Sequence, residues 1–486
     1  MKVLNGLSRR CLLQALALIA SSYPFKLFAS SGSYLGELVN DRNLGQQTTA
    51  VLFDLGSNKI LESHNKDLRL PLASVTKAVT AVYAMEVVGA QHTFATKLFT
   101  DGSVQNGRLD GNLYLIGGAD PSLSTSHLYN FVEALKNKGI LDISGSFFYY
   151  SEVIPEFLTI DPSQLPEASF NPGFSGLNLN SNKVIFSWLK KGKDYKLTLK
   201  ARSLNSQAVI NNITIVEKKQ TSSLFNYSLE KKLRIEKWVV SKNILGKKGA
   251  RWLPVRFAST HASSVLYYLF SKSGITVRPP ERLTKKVSGL QLLHRHKSID
   301  LSLILKEMLD KSTNVTAEII GVFAANFWGL KTPEIVSSGK IMSKWFNFVS
   351  KTDDSIFFNH SGLTTQSRVS GADFTKFLSR TETSEVLVQL LKEQRVYGTH
   401  EKEIREANVK VLAKTGTMHF NRGLAGYIMK DEIPRAVFAI FSADLQKKQT
   451  SENGLELSNP PGHKSWLLNA KHLENSVVAH WAKLYL

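Results

Sequence analysis

The chain has one cysteine in 486 residues, Cys11, which excludes an internal disulfide and any cysteine-based metal site. It has no His-Glu-x-x-His pattern, so the common helical zinc hydrolase arrangement is absent. Zinc-finger and RNA-recognition signatures are missing too, and nucleic acid is not expected as a partner. There is no fixed-period repeat and no collagenous or low-complexity tract. Acidic residues are few, 40 Asp and Glu against 61 Lys and Arg, giving a formal net charge of +21. What remains is globular in composition, with 43% hydrophobic and 21% charged residues. The length calls for two or three domains with cores buried without covalent staples.

The N-terminus reads as an export signal. Lys2, Arg9 and Arg10 precede the apolar stretch Cys11–Ala20, well short of the ~20 residues that span a bilayer as a helix. Ser8-Arg9-Arg10-Cys11-Leu12-Leu13 resembles a twin-arginine signal, and a general secretory signal is the alternative. Cleavage after Ala29 would leave no cysteine, although Leu27 is larger than the residue usual at that position, so an uncleaved anchor also stays open. Either way the protein is expected in the periplasm or outside the cell. Most of the positive charge lies beyond this segment, with one dense region at Lys218-Lys219, Lys231-Lys232, Arg234, Lys237, Lys242, Lys247-Lys248 and Arg251. The simplest reading is a solvated basic face; the functional alternative is peripheral attraction to an anionic polymer or membrane surface.

Thr48 to Asn65 reads as a hairpin turning at Gly56–Lys59. Val75, Val79, Val82 and Met85 recur at helical spacing, with Gly89 as a stop, and predict a buried helix. From about Phe94 to Arg278 short strand-like runs dominate, including 112–116, 145–150 and 195–199. Helical pattern returns at Ser263–Ser273, Leu301–Trp328 and Ser337–Val349. Strand patterns follow at Val409–Ala413, Leu424–Met429 and Ala436–Phe441. The expectation is an α/β catalytic domain split by a β-rich insertion: an export signal at 1–29, a first catalytic part at 30–95, an insertion at 96–284 with a nested unit at about 185–245, and a second catalytic part at 285–486. His294-Arg295-His296 is expected on a polar loop.

Three motifs could carry chemistry. In Ser74-Val75-Thr76-Lys77 the two ends lie three apart on one helix face, so an amine can approach a hydroxyl that needs a base to become a nucleophile. Ser187-Lys190, Ser228-Lys231 and Ser337-Lys340 share that spacing. Ser74 differs in opening an apolar helix, where its amide is among the unpaired N–H donors. Ser312-Thr313-Asn314 pairs a proton-relaying hydroxyl with a positioning carboxamide, although alone it would read as a helix cap. Lys414-Thr415-Gly416-Thr417, at the end of a strand, offers a cation and hydroxyls for a carboxylate and a glycine that lets an extended ligand approach.

In this order the three motifs resemble the signature of penicillin-binding proteins and serine β-lactamases. The long separation between Ser74 and Ser312 is similar to the class C low-molecular-mass penicillin-binding proteins, the D-alanyl-D-alanine carboxypeptidase/endopeptidase family. The stretches 115–123, Ser361-Gly362-Leu363 and Leu424-Ala425-Gly426-Tyr427 extend the likeness. It implies a serine transpeptidase/β-lactamase-like α/β (α+β) fold whose insertion holds two smaller domains. It also implies hydrolysis of peptidoglycan stem peptides through an acyl-enzyme, without metal or organic cofactor, and acylation by β-lactam antibiotics. By the same resemblance Ser74 is the nucleophile, Lys77 its base and Ser312 the relay to the leaving amine. Asn314 holds the substrate backbone, and Lys414, Thr415 and Thr417, beside Gly416, hold the terminal carboxylate. The backbone N–H groups of Ser74 and Thr417 form an oxyanion hole worth roughly 3 kcal/mol per donor.

The chain departs from the family at Thr313 and at Asn359-His360-Ser361-Gly362-Leu363. It also has Tyr149-Tyr150-Ser151 where relatives carry an Asp that faces the stem peptide's diamino acid, so that preference does not carry over. A β-lactamase and a non-catalytic cell-wall binding protein are the competing readings. The first lacks a Glu-x-x-Leu-Asn loop between the second and third motifs; the second has no reason to keep Ser74, Lys77, Ser312 and Lys414 together.

Overall fold

A computed structural model describes residues 31–485 except 43, 45–46, 152, 203–206, 210–212, 219–224, 328, 330–333, 396–408 and 453–459. The expected export signal, with Cys11, lies outside the described residues.

The hairpin forms from strands Thr48–Asp54 and Lys59–His64, with a bulge at Leu52/Phe53. Its first strand pairs with Ile433–Ala443, which continues through Asn421–Lys430 and Val409–Met418 to a short edge strand, Lys392–Glu393. Period-two alternation assigns the two faces of this antiparallel sheet. Val437, Ala439 and Phe441 face a core shared with the helices Thr76–Val88, Leu301–Lys311, Asn314–Phe327, Ile335–Ser350 and Gly371–Ser379. Ala436, Phe438 and Ile440 face Leu35 and Val39 of the helix Ser31–Asp41 and Trp466, Leu473 and Trp481 of the helix His463–Lys483. The helix Thr76–Val88 is buried on every side over Thr76–Ala84, its apolar residues interrupted there by Thr76, Lys77 and Thr80. It stops at Gly89, whose φ of 96° suits glycine.

The expected single helical stretch over Leu301–Trp328 is two helices. They part at Ser312, which takes the left-handed conformation (φ 54°, ψ 42°) and closes the first. The third-motif residues Lys414–Thr417 lie inside a strand that runs on to Met418 rather than at its end, because the hairpin with Asn421–Lys430 keeps pairing to Met418↔Asn421. His294-Arg295-His296 is a strand, not a loop. Gln291–Lys297 pairs antiparallel with Ala95–Thr100, and His296 is covered by the ring of His127. This strand lies beyond residue 284 yet completes a five-stranded sheet of the insertion, ordered Pro280–Arg282, Phe147–Tyr150, Leu113–Ile116, Ala95–Thr100, Gln291–Lys297.

The insertion also holds helices. Leu128, Phe131, Val132 and Leu135 of Thr125–Asn137 form one apolar face, which meets Val265, Leu266 and Leu269 of Ala258–Lys272 in a common core. Within it, strands from Lys183 to Pro254 make a four-stranded and a three-stranded sheet that bury Phe186, Phe225, Trp238 and Val240 between them. The basic cluster is divided. Lys218, Lys231, Lys232, Lys237, Lys247 and Lys248 are exposed. Arg234 instead pairs with Glu156, Lys242 with Glu217, and Arg251 stacks on Phe225; Lys219 lies outside the described residues.

Two buried charges tie the nested sheets to the rest. Glu236 Oε1 accepts from the backbone N–H groups of Arg256 and Phe257 at 2.8 and 2.9 Å. The Arg256 side chain, 1% exposed, donates to the carbonyls of Leu158, Pro166 and Asn171. It thereby fixes a segment whose Ile160 and Phe174 enter the catalytic core. Arg256→Met is expected to leave these carbonyls unpaired and to lower stability by about 3–5 kcal/mol. Urea unfolding measures it; a loss below about 1 kcal/mol would show that the segment is held by packing alone.

Candidate active site

Ser74 sits in a tight turn rather than in the α-helix proper. Ala73–Val75 is one turn of 3-10 helix leading into Thr76–Val88, and Ala73 has φ of 46°, a conformation costly for a side chain with a Cβ. Glycines close around this turn. A Cβ on Gly362 (φ 77°) would come within 1.8 Å of the Ala73 carbonyl, and one on Gly416 within 2.6 Å of the Leu72 carbonyl and 2.9 Å of the Ser74 nitrogen. The third-motif strand therefore passes directly against the backbone of Ser74. Thr417 is the next residue along it, so the two N–H groups expected in the oxyanion hole belong to adjoining segments.

Lys77 is fully buried, and its Nζ has three partners: Ser74 Oγ at 2.8 Å, Asn314 Oδ1 at 2.7 Å and the Ser361 carbonyl at 2.8 Å. A neutral amine has two hydrogens and one lone pair. Two partners are carbonyl oxygens that can only accept, so they take the hydrogens, and the lone pair is left for the Ser74 hydroxyl. Burial pushes Lys77 well below the ordinary lysine range and the nearby Lys414 adds to that, while Glu318 opposes both. In this arrangement the amine, when neutral, can take a proton from the Ser74 hydroxyl.

Glu318 and the loop 359–362 were not among the expected site residues. Glu318, fully buried, accepts from the backbone N–H of Ser361 at 2.8 Å and of His360 at 3.2 Å. It thus fixes the peptide whose carbonyl holds Lys77. Burial raises the Glu318 carboxyl, and its hydrogen bonds and Lys77 work against that rise. Its spacing of four from Asn314 is the one sequence signal for it, since both then share a helix face. His360 anchors the same loop. Its Nε2 lies 2.9 Å from Ser338 Oγ, its carbonyl accepts from Thr80 Oγ1 at 2.6 Å, and burial lowers its pKa to about 3, which keeps it neutral.

The structure joins Ser74, Lys77 and Asn314 directly. Asn314 uses its carboxamide oxygen on Lys77, and its nitrogen donates at 3.0 Å to the carbonyl of Phe170, a half-exposed residue of the insertion. Ser312 is not a partner of Lys77; it stands at the helix break two residues before Asn314. Lys414, 5% exposed, donates to the Thr415 carbonyl at 2.9 Å. Thr415 and Thr417 lie on the opposite face of the strand from Lys414 and Gly416, and Thr417 Oγ1 accepts from Arg422 at 3.1 Å. Lys392–Glu393 covers the strand's outer edge only at Leu412 and Ala413; among the described residues no strand pairs with Lys414–Met418 there. That open edge can receive an extended peptide.

This site and fold define a serine hydrolase of the penicillin-recognising type, and comparison with known proteins agrees. The chain belongs to the D-Ala-D-Ala carboxypeptidase 3 (S13) family, whose model matches residues 33–458. It is a serine-type D-Ala-D-Ala carboxypeptidase by that membership. It is 24% identical over 474 residues to D-alanyl-D-alanine carboxypeptidase DacB of Haemophilus influenzae, covering 92% of this chain and 96% of that one. A shorter match, 28% over 127 residues and 24% of each chain, is to a D-alanyl-D-alanine carboxypeptidase of Actinomadura sp. (strain R39). In fold it resembles the crystal structure of penicillin binding protein 4 (dacB) from Haemophilus influenzae, with TM-score 0.71 and 22% identity over 93% of this chain and 99% of that one. The mixed α/β architecture expected from sequence is the observed one.

Two lysines with opposite duties give a pH signature. The roles expected of them require Lys77 to be neutral, to accept a proton, and Lys414 to be charged, to attract a carboxylate. Burial lowers Lys414 to about 8, with Lys392 adding to the effect and Asp310 opposing it. The kcat/KM for a peptide substrate should rise with pH as Lys77 deprotonates and fall above about pH 8 as Lys414 does. Lys414→Arg should move the alkaline limb upward, since guanidinium stays charged. An unmoved limb would assign it to another group.

Proposed function

We propose that the protein trims or cuts D-alanyl-D-alanine-linked stem peptides of peptidoglycan through an acyl-enzyme on Ser74. The observation that carries this reading is the Lys77 amine, saturated by two carbonyls and turned to the Ser74 hydroxyl. Ser74 Oγ attacks the carbonyl of the penultimate D-alanine as Lys77 takes its proton. Negative charge on the carbonyl oxygen develops toward the N–H groups of Ser74 and Thr417. Ser312 relays a proton to the leaving amine, the C–N bond breaks, and water later hydrolyses the ester. Asn314 holds the substrate backbone once it exchanges Phe170 for the ligand. Lys414, Thr415 and Thr417 receive the terminal carboxylate. A β-lactam enters as a mimic of the same dipeptide and leaves Ser74 acylated.

The setting belongs to the same proposal: export by the N-terminal segment to the periplasm or cell exterior, where the substrate lies. The exposed lysines at 218, 231, 232, 237, 247 and 248 support weak attachment to an anionic surface.

Fluorescent penicillin and a D-Ala-D-Ala-terminated pentapeptide test the chemistry together. Ser74→Ala should abolish labelling and D-alanine release. Lys77→Arg keeps a cation of similar reach but cannot serve as a base, and should slow acylation by about 10²–10⁴-fold. Labelling of the Ser74→Ala protein at the wild-type rate would overturn the assignment.

A further inference from the structure

On the far side of the third-motif strand from Lys77 lies a pocket of about 300 Å³, of whose lining the chemistry above uses only Thr415. Thr415 forms part of its wall. Around it stand three cations, Arg395, Arg422 and Lys471, against two carboxylates, Glu393 and Glu474. Glu474, on the helix His463–Lys483, is almost fully buried, and its Oε2 accepts from Arg422 Nε at 2.6 Å. The lining's cations outnumber its carboxylates, which gives the wall a positive balance; burial raises Glu474 to about 7, with Arg422 opposing the rise. Arg422 links pocket and active site, because its Nη1 donates to Thr417 Oγ1 at 3.1 Å while its other arm is held by Glu474.

The strand's geometry says what enters. A peptide laid along the open edge Lys414–Met418 turns successive substituents to opposite faces about 3.4 Å apart. One substituent meets the side of Gly416 and Ser74; the next points to the side of Thr415 and the pocket. A single D-alanine leaving group brings a methyl and a carboxylate and leaves such a volume unfilled. A cross-link presents a second peptide instead, with amides and at least one carboxylate beyond the bond that breaks.

We propose that this pocket is the leaving-side subsite for the second peptide of a cross-link, and that Arg422, Lys471 and Arg395 receive a carboxylate of that peptide. The inference rests on the D-alanyl-D-alanine reading of Ser74. The reaction needs no further reactant. Ser74 Oγ bonds to the D-alanyl carbonyl, the C–N bond of the cross-link breaks, and the freed amine keeps the proton that left the serine. Water then releases the D-alanyl carboxylate and restores the hydroxyl.

The test compares two substrates on the full chain: an unlinked pentapeptide muropeptide and a cross-linked dimer. A second dimer has the leaving peptide's carboxylates amidated, except the one on the carbon that bears the scissile nitrogen, which Lys414 receives. Lys471→Glu and Arg395→Glu change exposed positions that lie off the Lys77 side of the strand. Together they should lower kcat/KM for the dimer about tenfold, chiefly through KM. D-alanine release from the pentapeptide should stay within about twofold and penicillin labelling should remain complete. The amidated dimer should be a poorer substrate for the wild type and insensitive to the charge reversals. Equal losses on both substrates, no loss on the dimer, or indifference to amidation would overturn the subsite. So would a wild-type protein that trims the pentapeptide and leaves the dimer intact. If the wild type releases neither product, the Ser74 reading itself fails.

Discussion

The site depends on one nitrogen with three partners, two of which are carbonyl oxygens that can only accept. Lys77 is buried where a charged ammonium is costly, and Lys414 nearby makes it costlier. Two carbonyl oxygens fix the direction of its hydrogens, so its remaining valence falls on Ser74. Each surrounding element can be understood as holding one of those contacts. The helix Thr76–Val88, buried all round over its first nine residues, encloses the amine, the break at Ser312 starts the helix that presents Asn314, and Glu318 locks the peptide of Ser361. Glu318 also supplies the negative charge that limits how far Lys77 is depressed.

The insertion takes part in this. Phe170 reaches Asn314 through its backbone carbonyl, and the segment bearing it is pinned by Arg256, itself placed by Glu236 of the nested sheets. A line of polar contacts thus runs from the nested sheets to the amide beside Lys77, buried at Glu236 and Arg256 and exposed where Phe170 meets Asn314. Ile154, Ile160 and Phe174 back it with apolar packing in the catalytic core.

Much of this was visible in the sequence, for reasons that differ by residue. Ser74, Lys77 and the third motif stood out because helical and strand periodicities are local, and local spacing survives folding. Asn314 was legible as a site residue, but its hold on Lys77 depends on a contact 237 positions away in the chain. The Ser361 carbonyl could not be read at all, since every residue has one and only the fold selects it. Helical pattern spans 301–328 and no Gly or Pro stands at Ser312, so the cap reading of Ser312-Thr313-Asn314 is the only local mark of the break. His294-Arg295-His296 looked polar enough for a loop; the ring of His127 and the pairing with Ala95–Thr100 make it a strand.

The open edge at Lys414–Met418 bears on what the enzyme ignores. An unpaired strand edge is a template for any extended chain, and proteins usually guard it. Here it is short, about 17 Å at strand spacing, closed at one end by the cover on Ala413 and at the other by the hairpin turn into Asn421. A residue within a folded protein's sheet or helix has its backbone groups already paired, whereas a dangling peptide end has them free. Discrimination between murein and the cell's own proteins therefore begins before any side chain is recognised, as a filter on slack.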